Sequence, residues 1–307
     1  MKKAWHQGLI VTFAAATLVS CTQESVMGES TPQVTNTSIS LTFFEQSMSD
    51  IGGRTRANSG TALQACHAFS ELQVALIPVD KEAGAGYIIR QDSLGEDFGK
   101  VALQVPAGDY HVVAVAANIN LKSDKHIDIK SCSEVHFPDD SPTDMVYAYK
   151  DITVKSSVSE QSFSTAMTRG VSALILQATE YTPLYVASEE IEIKSGCGTV
   201  FNPSTGTCKE ETPVTRIIPI DAKKFQNNTL FFTTYVFLKE ADLENIQVSA
   251  ITKNKDGKVV RSLSFDDVHL VKGKKTTYTG KLFSNDNNAT FTVDTPQWEK
   301  SGYDVDF

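Results

Sequence analysis

Short alternating runs, repeated along nearly the whole chain with turn residues between them, constrain the fold more than any other feature of this sequence. Residues 71–79 read ELQVALIPV and set Leu72, Val74 and Leu76 on one face of an extended strand. Residues 100–105 (KVALQV) do the same with Val101, Leu103 and Val105, and Pro106-Ala107-Gly108-Asp109 then leads into YHVVAVAAN. That pattern predicts a β-hairpin. A second hairpin is predicted in IQVSAITKNKDGKVVRSLSF, with Asp256-Gly257 at its turn. NTLFFTTYVFL carries apolar or aromatic side chains on both faces, as a central strand of a sandwich would. ISLTFFE, MVYAYKDITV, RGVSALILQAT, KTTYTGKLF and ATFTVDTPQW complete the series, and no long stretch has helical spacing. The expectation is an all-β chain of about 14 short strands in two sandwiches of about seven each. The boundary is expected near Glu160 to Arg169, giving an N-terminal sandwich over 39–165 and a C-terminal one over 166–307.

The N-terminus stands apart from this pattern. Lys2 and Lys3 precede an uncharged, mostly apolar run from Gly8 to Val19, 12 residues long. A membrane-spanning helix needs about 18 or more. Residues 1–20 therefore read as a signal peptide and are set aside from the fold. Leu18-Val19-Ser20-Cys21 resembles the lipobox of bacterial lipoproteins. The resemblance implies that Cys21 becomes the first residue and carries the acyl chains. Each buried methylene contributes about 0.8 kcal/mol, and two or more chains hold a protein on a bilayer stably. Thr22 stands where an inner-membrane retention signal has Asp, which favours the outer membrane. Residues 21–38 are polar and without periodicity, and read as a tether.

Setting residues 1–20 aside leaves 287 of the 307 residues, and losing Lys2 and Lys3 takes the formal charge from −9 to −11. So acidic a chain does not suit a nucleic-acid partner. Cys66, Cys132, Cys197 and Cys208 remain after Cys21 is acylated, and four cysteines allow three pairings. Cys197 and Cys208 bracket the loop CGTVFNPSTGTC, so a bridge between them is the simplest pairing, worth about 2–3 kcal/mol. Cys66 would then meet Cys132; the other reading is four reduced, buried thiols.

Chemistry is hard to place. The sequence has no GxSxG elbow, HExxH, Walker loop, CxxC or helix-opening GxGxxG. His67, His111, His126, His136 and His269 are scattered, and NDNN at 285–288 and PDD at 138–140 read as turns before calcium loops. No enzyme, metal site or cofactor is expected. Sugar binding would rest on aromatic faces, for which Trp298, Tyr87, Tyr147, Tyr149, Tyr181 and Tyr185 are available.

Taken in order, several segments resemble the fimbrillin-like lipoproteins of Gram-negative anaerobes, especially their fimbrial anchor or minor subunits. These are the lipobox, TRA at 55–57, FSELQVALIPVD, DFGKVALQVPAGDYHVVAVAAN, TDMVYAYKDITV, TRGVSALILQAT, SGCGTVFNPSTGTC and the closing YTGKLF. The likeness covers nearly all of the chain after residue 20. It implies two tandem transthyretin-like β-sandwiches and a fimbrial (pilus) subunit lipid-anchored at the outer membrane. It implies other fimbrial subunits as partners, adhesion to host or bacterial surface ligands, and assembly by strand insertion. In that family, polymerising subunits are cut after an arginine, which removes the lipid and the first strand, whereas anchors keep both. Arg54 and Arg56, in GGRTRANSG after the strand at 39–45, would mark such a cut. The terminal GYDVDF reads as an edge strand in preference to a donor strand. The competing expectation is a surface glycan-binding lipoprotein.

Overall fold

A computed structural model of the chain describes residues 36–45, 61–80, 86–225, 229–284 and 291–294. Its first half supplies β1 (Asn36–Glu45), β2 (Thr61–Ala62), β3 (Glu71–Pro78), β4 (Tyr87–Asp92), β5 (Lys100–Pro106) and β6 (Gly108–Ala117). After β7 (Asp128–Ser131) and β8 (Glu134–His136) come β9 (Met145–Val154) and β10 (Glu160–Arg169). One sheet runs in the order β2-β1-β10-β9-β6-β3-β4, with β5 on the other edge of β1. Between β9 and β10 only Tyr147 with Thr168 and Val146 with Arg169 are paired, and there the sheet folds over on itself. Leu72, Val74 and Leu76 of β3 and Val112 and Ala114 of β6 thereby face Ile39, Leu41 and Phe43 of β1 and Val101 of β5 in one core. Where the edge strand β4 comes beside the start of β5, the Gln91 amide donates to the Lys100 carbonyl (2.6 Å) and its oxygen accepts from the Gly99 N–H (3.0 Å).

The alternation predicted for 71–79 and 100–105 is present, but the first hairpin is not. β5 pairs with β1, and β6 lies between β3 and β9. Pro106 to Gly108 instead carries the chain from one layer to the other, and the Tyr110 hydroxyl donates to the Pro106 carbonyl across that corner (2.9 Å). Local alternation marks strand, turn and strand; the choice of partner depends on which distant strands cover which face.

The second half begins with β11 (Ser172–Ala178) and β12 (Val186–Ile193), then the short β13 (Cys197–Gly198), β14 (Phe201–Asn202) and β15 (Thr207–Cys208). It continues with β16 (Val214–Pro219), β17 (Phe231–Leu238), β18 (Asp242–Asn254), β19 (Val259–Val271), β20 (Lys275–Gly280) and β21 (Thr292–Asp294). Sheets β13-β17-β11-β20-β21 and β16-β12-β18-β19 face one another over Leu174, Leu176, Ile191, Phe232, Val248 and Val268. The Asp256-Gly257 hairpin is as expected: Gly257 takes φ +73°, and the Asn254 side chain accepts from the Asp256 and Lys258 N–H groups (3.0 and 2.9 Å). β17 buries both faces, with Phe232 and Val236 in this core and Tyr235 and Phe237 in another.

That other core ties the halves together, and residues 35–307 form one compact unit. Ala75, Val113 and Val115, on the outer face of β3 and β6, meet Ile129, Val135, Phe201, Ala173 and Phe237. A four-stranded sheet, β15-β14-β8-β7, spans the halves through the pair Phe201 and Val135. β10 and β11 are separated only by Gly170 and Val171. A Cβ at Gly170 would stand 2.8 Å from Met145 Sδ and 3.1 Å from Phe201 Cζ, so any side chain there would have to displace its neighbours.

Candidate functional site: the slot of the first strand

β1 reads NTSISLTFFE. Its alternation sends Thr37, Ile39, Leu41 and Phe43 inward, all buried, and Ser38, Ser40 and Thr42 outward. It is paired on both edges. Ser38 to Glu45 lie parallel to Glu160 to Met167 of β10, and Asn36 to Thr42 lie antiparallel to Lys100 to Pro106 of β5. The Phe43 N–H donates to the Gly99 carbonyl (2.9 Å), and the Ser40 and Ser162 hydroxyls meet at 2.8 Å on the outer face. Burying Ile39, Leu41 and Phe43 is worth roughly 5–9 kcal/mol, taking 1.5–3 for each side chain. Withdrawing β1 would open two hydrogen-bonding edges and uncover that core at once.

The far end of the slot is charged. Arg169, whose side chain is 9% exposed, donates from Nη1 to both Asp144 oxygens (2.8 and 3.1 Å) and from Nη2 to Glu45 Oε1 (3.2 Å). Glu45 also faces Thr61 of β2 across an antiparallel pair. A single cut within the segment 46–60 would sever β1 from the rest of the fold and leave every other connection whole.

Cys21, Arg54, Arg56, Trp298, NDNN at 285–288 and the terminal GYDVDF lie outside the described residues. The Cys66 thiol donates to the Ala62 carbonyl (3.3 Å). Cys66 ends a short helix whose Leu63 packs into the first core, whereas Cys132 packs on the opposite face of that sheet, so the two are not brought together. Cys197 is in the second core and Cys208 in the third. Burial, with Cys208 nearby, pushes the Cys197 thiol up to about 12. The loop between them forms β14 and β15 and docks onto β8, a role that its glycines and threonines do not announce.

Histidines sit beside carboxylates: His111 with Asp151 (2.6 Å), His126 with Glu71 (2.7 Å), His136 with Glu134 (2.8 Å) and His269 with Asp242 (2.5 Å). Glu134 also takes Lys209 from the other half, and His136 and Lys209 together hold its carboxyl down at about 2. The PDD turn gives Asp139 to Lys125. Among the described residues no group of three or more His, Cys, Asp and Glu is placed to hold a metal ion. Tyr147 and Tyr149 pack against the third core and Tyr87 against the first. Tyr181 and Tyr185 are 67% and 52% exposed. The buried Glu189 went unnoticed in the sequence because it occupies one more alternate position in a Glu-rich strand. Its Oε2 accepts from the Thr252 hydroxyl (2.7 Å), its Oε1 has no hydrogen-bond partner among the described residues, and burial pushes its carboxyl up to about 7. Arg169 was equally hidden, since its carboxylates come from positions 45 and 144.

A model of a family described only as of unknown function (DUF6562) matches residues 34–304. The chain belongs to that family. The match starts two residues before β1, so the DUF6562 region takes in the slot and both sandwiches. No curated protein matches the chain. Among solved structures, this DUF6562 chain is similar to a candidate adhesin from Bacteroides ovatus (9% identity, 86% of this chain and 95% of that one, TM-score 0.48). It is similar to the fimbrial anchor protein Mfa2 from Porphyromonas gingivalis (12% identity, 88% and 100%, TM-score 0.44). A fimbrial assembly protein from Parabacteroides distasonis is a further structural neighbour (13% identity, 85% and 96%, TM-score 0.43).

Proposed function

We propose that this protein is a non-enzymatic surface lipoprotein of the outer membrane that serves as a fimbrial subunit, in an anchor or accessory position. The observation that carries the reading is β1: an N-terminal strand held between two sequence-distant strands, parallel to one of them, and joined to the fold through 46–60 alone. In this reading the acylated Cys21 and the tether that leads to β1 hold the two sandwiches at the membrane. The β1 slot is where subunits join: a strand from a neighbouring subunit enters when a cut after Arg54 or Arg56 has freed β1, and the anchor form keeps its own strand.

The N-terminus and intact mass of the protein taken from its native surface test this. An acylated Cys21 supports the anchor form. A start at Thr55 or Ala57 supports a polymerising subunit. A soluble, unacylated chain beginning elsewhere removes the reading.

A second reading, glycan binding, draws on the exposed Tyr181 and Tyr185 in the loop between β11 and β12 and on Phe231, also exposed, at the start of β17. Saturable calorimetric binding of a polysaccharide, lost in Tyr181→Ala with Tyr185→Ala, would establish it over the structural role.

A further inference from the structure

We propose that Arg169 sets the register of whatever strand fills the β1 slot, by demanding a carboxylate at the place Glu45 occupies. The inference rests on the strand-insertion reading above.

Alternation by itself cannot set a register. A slip of one residue turns every apolar side chain to the outer face and is excluded, but a slip of two keeps apolar residues inward. The inner positions of β1 read Thr37, Ile39, Leu41, Phe43 and then Glu45, two residues further along. Three successive ones are apolar and the last is charged, and Arg169 is the charged group that meets it. There the Arg169 guanidinium, 9% exposed, has its Nη1 committed to both oxygens of Asp144, while Nη2 faces Glu45. A strand slipped by two toward Arg169 would bring Phe43 against that Nη2, and one slipped by two the other way would carry the Glu45 carboxylate into the apolar place that Phe43 fills. With so little water access, the lost hydrogen bond is not replaced by solvent. The slot therefore fits an extended segment with apolar residues at i, i+2 and i+4 and an acidic residue at i+6. Small hydroxyl-bearing residues between them match the outer face, where Ser40 meets Ser162.

The test uses the full chain with a site-specific protease sequence placed between residues 46 and 60. After cleavage, labelled synthetic peptides compete for the slot: one with the sequence of residues 36–45, one carrying Glu45→Gln, and one carrying Leu41→Ser. The unaltered peptide is expected to exchange with the resident strand, and the Glu45→Gln peptide to be retained about tenfold less. In a protein with Arg169→Gln the first two peptides should be held alike; if that variant does not fold, the peptide pair on the wild-type chain decides alone. Equal retention of the unaltered and Glu45→Gln peptides by the wild-type chain would overturn the role of Arg169 and leave strand insertion standing. Failure of every peptide to exchange would overturn both.

Discussion

The two sandwiches place one strand in the same surroundings. β1 lies parallel to β10 and antiparallel to β5; β20 lies parallel to β11 and antiparallel to β21. What differs is how each strand is filled and tethered. β1 brings Ile39, Leu41 and Phe43 to its core and is joined to the fold through 46–60. β20 brings Tyr278 and the buried Thr276, and follows β19 after Lys272-Gly273-Lys274. Identical sheet positions thus yield one strand that is apolar and one that is largely polar and held by a tight turn. In the strand-insertion reading, whether a strand can be exchanged depends on its covalent connection and side-chain content, not on topology.

The largest expected effect comes from the apolar content of β1. Leu41→Ala should cost about 2–5 kcal/mol in urea unfolding, and should speed loss of the strand from a chain cut within 46–60. A cost below about 1 kcal/mol would mean that β1 is not an integral part of the core.

Glu189 sharpens the contrast from the second sandwich. Its folded-state carboxyl is raised to about 7 from an ordinary 4.5, so the folded protein holds a proton that the unfolded chain has released. Stability should fall as pH rises from about 4.5 through 7, by about 3 kcal/mol in total, and Glu189→Gln should flatten that slope. Parallel curves for the two proteins would show that Glu189 is not the group responsible.

Gly170, at the junction, should accept Ala at a cost of about 1–3 kcal/mol, because Met145, Tyr147 and Phe201 leave no room. Hydrogen exchange should then quicken in β14 and β8 before it does in β18. Thr276→Ala should have the smallest effect, about 1 kcal/mol, through loss of the hydroxyl donated to the His269 carbonyl (2.8 Å). If it matched Leu41→Ala, the distinction between the two strands would collapse.

Much of this protein was legible without coordinates. Alternation places strands at 71–78 and 100–106, and Asp256-Gly257 sets a hairpin, because both depend on neighbours in sequence. Partner choice is different in kind. That β5 leaves β6 for β1, that the CGTVFNPSTGTC loop pairs with β8, and that Arg169 gathers carboxylates from positions 45 and 144 all follow from which faces can be buried together. The sequence by itself determined the strongly alternating strands, such as β3, β5, β18 and β19, and their inner faces, but not β10, which occupies the stretch expected to be a boundary. Only the tertiary structure decided which strands are neighbours and where the one charged end of the slot falls, since burial and charge pairing act between residues distant in sequence, 25 positions apart for Arg169 and Asp144 and 124 for Arg169 and Glu45.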